Sequence, residues 1–410
     1  MNLLDRLLPL VAAYPIAEAR HRRWRAQAAR WARRQWLSPA QHTALDAAYP
    51  TPSYRPAWPV RVGLFVFGWI GLVIGGGTWL LLAQPGVTFG AVLALGGAGF
   101  ALEASIREKR CYYAGLDQAF LYAALLAAGV LVSRVFHFET GGVDADLGSL
   151  RLLPLLVLWF GLATAAVLRY AEPGVTVAAF VLYLLIIANV LLPFAAGRVA
   201  LPLALLAAAG GAVWLARAPT RATPAAYYYE TARQTLRGGA LVIVYLSVNY
   251  LVVREGNAGL RGQYPSEHPP LGLLFGLLTG ALPFVYIGLG LRRADRLLLT
   301  LGFATLLFSL YTLRTYRAVL PLSVATTLAG VLLLTLALFG LRYLRPARHG
   351  LTSLTDAADA APEDGNPFSL GNLEALAAAQ LAGGPTAVEA GPTTEFGGGE
   401  FGGGGASSTY

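Results

Sequence analysis

The sequence predicts an all-α, polytopic integral membrane protein with about ten transmembrane helices, a short basic cytosolic N-terminal helical segment and a disordered C-terminal tail. Three observations carry that prediction. Of 410 residues, 56% are hydrophobic and only 13% are charged, about half the charge that covers a typical soluble domain. The charges gather in clusters separated by apolar runs of about 17–24 residues. A helix rising about 1.5 Å per residue needs that length to cross a hydrocarbon core roughly 30 Å thick. Finally, the basic residues alternate between dense and sparse from one loop to the next, which is the pattern of the positive-inside bias.

Residues 1–59 form the basic head and linker. Arg20, Arg22, Arg23, Arg25, Arg30, Arg33 and Arg34 surround Trp24 and Trp31, which are seven apart and so share a helix face. Ser38-Pro39-Ala40-Gln41 starts a second helix: Ser as N-cap, Pro where no donor is lost, Gln placed to close a capping box. Pro50, Pro52, Pro56 and Pro59 make an extended lead into the bilayer. This hairpin is expected to lie against anionic lipid headgroups, where each basic residue contributes about 1 kcal/mol.

Residues 60–343 form the transmembrane domain. Its ten apolar segments lie at about 60–83, 86–106, 116–136, 150–168, 173–194, 198–216, 238–253, 270–291, 297–313 and 318–341. Of 31 Lys and Arg, 24 fall in the head and in loops on its side. Arg134, Arg151, Arg198, Arg254, Arg261, Arg314 and Arg317 fall on the other. The dense side is assigned to the cytosol, which puts both termini there and the chain in the cytoplasmic (inner) membrane. From residue 351 onward there are eight acidic residues and no Lys or Arg. The tail, 344–410, is therefore expected to be disordered and free to meet an unidentified protein partner.

The net charge of +9 does not indicate nucleic acid, because the arginines follow membrane topology. Cys111 is the single cysteine, so no intrachain disulfide forms. A cleaved signal peptide is not expected: Pro9 and Pro15 interrupt the first apolar run, and Asp5 stands where a basic region belongs. The five histidines fall at none of the metal-ligand spacings, and no nucleophile elbow or phosphate loop occurs. Neither a catalytic residue, a metal nor a cofactor is implied.

Candidate sites are few. Glu103 and Asp117 are the acids that fall inside spans. They read either as a proton- or cation-binding pair or as side chains reaching for Arg107, Lys109 and Arg110. Gly272, Gly276 and Gly280, followed by Pro283, suit close helix packing or a transporter's interrupted span. Gly71/Gly75 and Gly86/Gly90 are further packing candidates. Arg314, Tyr316 and Arg317 sit in a short outward turn, and Arg254 and His268 in a neighbouring outward loop. Together they could hold a phosphate or carboxylate, or simply anchor to lipid headgroups.

The stretch Ala29-Arg30-Trp31-Ala32-Arg33-Arg34-Gln35-Trp36-Leu37-Ser38-Pro39-Ala40-Gln41, with Leu45 and Tyr49-Pro50, resembles the start of the bacterial membrane proteins grouped as domain of unknown function 2157. Asn249 to Glu255 and Arg314 to Pro321 resemble uncharacterised membrane proteins of Bacteroidetes. The resemblance implies a bacterial membrane location, with a cytosolic helical hairpin before a string of membrane helices. It brings no activity or site residues. Three function classes remain: small-solute or lipid-linked transport, a membrane scaffold recruiting partners through head and tail, and an envelope glycan or lipid transferase.

Overall fold

A computed structural model of the chain describes residues 8–316 apart from 34, 84–85, 136–146, 218–222, 263 and 294, with isolated positions between 327 and 342. Among the described residues every named element is helical. The head contains α1 (Ile16–Arg33) and α2 (Pro39–Ala48). The Ser38 hydroxyl accepts from Gln41 N at 3.3 Å, and the Gln41 side chain accepts from Ser38 N at 2.9 Å. This is the capping box that the spacing predicts. Arg25 ties the two helices by pairing with Asp46 at 2.8 Å, and it also donates to Thr51 at 2.7 Å.

Eight described helices are long and apolar enough to cross a membrane, or nine if one bent pair counts as a span. In order they are α3 (Trp58–Ala83), α4 (Val87–Arg107), α5 (Leu116–Val135), α6 (Leu153–Tyr170, entered by a 3-10 turn from Leu150), α7 (Pro173–Leu191) and α8 (Ala195–Leu215). The one-turn helix α9 (Pro224–Tyr228) follows, then the pair α10 (Glu230–Leu246) and α11 (Tyr250–Arg261), and the last hairpin α12 (Gly272–Arg293) and α13 (Arg296–Tyr316). The tenth expected segment, 318–341, lies almost wholly outside the described residues, as does the tail.

The seventh segment needs correction. No straight helix covers 238–253: α10 ends at Leu246 and α11 leaves at 79°. Asn249 is the cause. Its backbone is extended (φ −69°, ψ 125°), and its side-chain oxygen takes the N–H groups of Leu251 and Val252, so it starts a new helix instead of continuing the old one. The Tyr250 N–H goes to Thr279 Oγ1 at 2.8 Å. Asn249 Nδ2 also donates to the Tyr245 and Thr312 hydroxyls at 3.0 and 3.1 Å. The first donors of α11 are thus all taken, and this broken helix offers no free terminus to an anion.

The packing glycines also differ from those expected. Gly276 and Gly280 have open space where a Cβ would stand, as do Gly71, Gly75 and Gly86. The close approach in the last hairpin is made instead by Gly290 and Gly302. A Cβ there would fall 2.8 Å from Leu299 Cγ and 2.6 Å from Ile287 Cγ1 respectively. Where α3 crosses α5, Gly115 has φ +100°, and a Cβ would meet the Arg61 carbonyl oxygen at 2.1 Å. Only glycine fits that position.

The loops that carry most of the arginines gather at one end of the bundle. There Tyr113 donates to the carbonyls of Tyr170 (3.0 Å) and Ala171 (2.8 Å), Tyr228 donates to Arg169 O, and Arg237 pairs with Asp295. The head is built into this end. Tyr14 and Leu8 are buried in one cluster with Tyr112, Tyr113, Tyr170 and Tyr228. Ala13 N donates to Arg169 O at 2.9 Å. Glu18 is buried, and it accepts from Arg22, from Ser53 N and from the Ser53 hydroxyl.

Candidate functional site

The residues expected from the sequence to face outward divide into two groups. Arg254, Tyr316 and His268 come together. The Arg254 guanidinium lies 4.4 Å over the Tyr316 ring and donates to the Ser266 carbonyl at 2.5 Å and to its hydroxyl at 3.0 Å. Ser266 Oγ donates to Glu255 at 2.7 Å, and Tyr316 donates to the same carboxylate oxygen. Tyr250 bonds His268 Nδ1 at 2.6 Å and meets the Tyr316 ring edge-on at 5.2 Å. Arg314 joins none of these contacts, and Arg317 lies outside the described residues. The guanidinium is already held by the Ser266 carbonyl and hydroxyl and by the Tyr316 ring, with Glu255 joined to it through Ser266 and Tyr316, so the cluster works as a clasp between α11, the loop that carries Ser266 and α13.

The two intramembrane acids do not pair with each other. Glu103 takes Arg169 at 2.5 Å and Arg107 at 3.2 Å, and accepts from Tyr170 at 3.1 Å. Arg107 was among the expected partners; Arg169, from a later helix, was not. Asp117 turns away from Arg107, Lys109 and Arg110. It accepts from Tyr14 OH (2.9 Å), Tyr113 N (2.9 Å), Ala114 N (2.9 Å) and Gly115 N (3.1 Å). A carboxylate has about four acceptor positions, and here they are filled, so no cation is needed. Burial, then the Asp117 charge, hold the Tyr14 phenol well above its ordinary value, so it stays a donor. Among the described residues, no group of three or more His, Cys, Asp and Glu could hold a metal ion.

One feature that periodicity does not reveal is a groove of about 860 Å³ along α5, between α3 and the α6–α7 hairpin. It runs from Tyr122 to Arg134, twelve residues or about 18 Å of helix. Leu126 and Val130 on its floor remain 61% and 40% exposed, so it is open on the side that faces lipid. The end near the head is closed by Glu172, which accepts from Tyr122 OH and Gln118 Nε2 at 2.9 Å each and from Val175 N at 2.7 Å. Burial pushes the Glu172 carboxyl above the usual range, while these donors pull it down. Gly174 makes the closure possible, since a Cβ would lie 2.2 Å from Tyr122 OH. Halfway along, the Trp159 ring covers Gly129, and its indole nitrogen is buried with no hydrogen-bond partner.

Comparison with protein-family models, curated proteins and solved structures finds no match.

Proposed function

We propose that this protein is a lipid-handling membrane protein of the bacterial cytoplasmic membrane, of the kind grouped as domain of unknown function 2157. Its membrane domain admits a lipid-soluble or lipid-linked molecule sideways from the bilayer, as a step in transport or presentation. The observation that supports this reading is the lateral groove. It is long, apolar and open at lipid-facing residues, whereas the outward arginine cluster is internally matched. A hydrophobic molecule should therefore remain bound when the protein is extracted in mild detergent and analysed by native mass spectrometry. Ala178 is exposed on the groove wall, and Ala178→Phe fills the space. Overpacking costs about 1–3 kcal/mol, so occupancy should fall about tenfold. A wild-type protein that carries no such molecule would overturn the reading.

The proposal places the head and the arginine-rich loops on the cytosolic side. Phosphatase fusions near Gly148 and Gly262 should then be active, and fusions near Ala226 and Arg293 inactive. The reverse pattern would invert the topology. The head's exposed Arg20 and Arg30 are the residues placed to meet anionic lipid. Arg22 instead stacks 4.2 Å over Tyr112, and Arg23 pairs with Glu230 at 3.5 Å.

A further inference from the structure

The bend at Asn249 shapes a second cavity, at the end of the bundle away from the head. Glu230, at the start of α10, pairs with Arg23 of the head, so Leu246 and the bend lie at the far end. There α11 turns off at 79° and runs close to the membrane plane. Beneath it is a pocket of about 180 Å³. Val252, Val253, Gly256, Asn257 and Leu260 of α11 line it. At about 100° per residue they share one face of the helix, and Arg254, Glu255 and Arg261 fall on the other. That division suits a helix lying in the interface, with its apolar side toward the bilayer.

The facing wall is α8, through Arg198, Leu201, Pro202 and Leu205, again one helix face. Arg198 is the fourth residue of α8 (Ala195–Leu215) and stands at the mouth. Leu205 lies seven residues on, about 10 Å deeper along the helix. Val199 and Leu260 on the two lips are 39% and 42% exposed, so the pocket opens sideways between α8 and α11.

Three polar side chains line this space, and no acidic residue does. The Ser247 hydroxyl is occupied, donating to Val244 O at 3.1 Å. Arg198 is exposed and Asn257 half-buried, and among the described residues neither has a hydrogen-bonding or ionic partner. Lipid tails gain little by moving into an apolar cleft, so the unneutralised guanidinium at the rim decides the occupant. It calls for an anion and an apolar chain on one molecule. An apolar cavity of about 150 Å³ takes up benzene, so the space here fits part of a single chain.

We propose that this pocket seats one acyl chain of an anionic glycerophospholipid, with its phosphate held at the mouth by Arg198 and Asn257. The site is separate from the groove along α5, and neither needs the other.

The test uses the full chain in phosphatidylcholine nanodiscs. Two probes, phosphatidylglycerol and phosphatidylcholine, carry the same photoactivatable diazirine in one acyl chain. Labelling, mapped by mass spectrometry, should concentrate on residues 199–205 and 252–260. The phosphatidylglycerol probe should label them about fivefold more, the scale of one arginine beside an anionic lipid. Arg198→Gln should remove that preference and leave phosphatidylcholine labelling unchanged. Gly256 has open space where a Cβ would stand, so Gly256→Leu fills the pocket, and a wild-type thermal midpoint checks that the fold is kept. It should lose labelling by both probes. Ala178→Phe, which fills the other groove, should label these residues like wild type. A phosphatidylglycerol preference that is absent in wild type, or that survives Arg198→Gln, overturns the anionic partner. Label spread evenly over the lipid-facing helices, undiminished in a folded Gly256→Leu or lost in Ala178→Phe overturns the pocket.

Discussion

Replacing Asp117 with alanine should lower the thermal midpoint of the detergent-solubilised protein by about 10 °C, following a loss on the order of 4 kcal/mol. The side chain is 1% exposed. Its removal strands the N–H groups of Tyr113, Ala114 and Gly115 and the hydroxyl of Tyr14. Hydrogen bonds to a charged group contribute about 1.5–3 kcal/mol each, and a buried donor left unmade costs about 1–3 kcal/mol; local relaxation recovers part of the sum. Tyr14→Phe, which removes one of the four bonds, should cost about a third as much. The two variants should also differ in protease access to residues 49–57, which joins the head to α3. Cleavage there should rise in Asp117→Ala, because that carboxylate holds both the turn before α5 and the head. An unchanged midpoint and cleavage pattern would show that the turn and the head are held by other contacts.

Asn249→Leu should have the next largest effect, about 6 °C. The exchange keeps approximate volume and removes an N-cap, at about 1 kcal/mol. It also removes two side-chain bonds inside the membrane domain, at about 0.6 kcal/mol each, which brings the loss to roughly 2–3 kcal/mol. Asn249 is 0% exposed, so water does not replace these partners. Thr279→Val removes the acceptor for Tyr250 N, together with the hydroxyl's own donation to Phe275 O at 2.7 Å, leaves the Asn249 cap in place and should cost about 1 kcal/mol. If Asn249→Leu and Thr279→Val melt at the same temperature, the bend is held by packing of Val248, Val253 and Phe275 and not by the asparagine.

Much of this architecture is readable from apolar run length. Eight expected segments coincide with helices within a few residues, and the Ser38–Gln41 box is local enough to be read directly. The misreadings share a physical origin. Val252 and Val253 extend the apolar run of α10, so hydropathy passes smoothly across a point where one asparagine side chain redirects the backbone. Glycine spacing every four residues marks Gly276 and Gly280, yet what decides packing is which helix lies opposite, and that is Gly290 against Leu299. Tyr14, the Tyr112–Tyr113 pair, Tyr170 and Tyr228 lie far apart in sequence and converge in space, so no window reports them together. The groove is harder still, because its lining comes from five helices and each contributes ordinary membrane residues. The nearness of Arg254, Tyr316 and His268 is readable from loop order, but Glu255 as the shared acceptor is not.

The seat of the head has a consequence for how the chain is made. Its anchors are Tyr112, Tyr113 and Asp117 before α5, Arg169 and Tyr170 at the end of α6, and Tyr227, Tyr228 and Glu230 around α9. None of these exists while the first span is leaving the ribosome, and the last emerges only after six spans have been threaded. The first fifty-odd residues therefore cannot complete their seat until the chain has grown past Glu230.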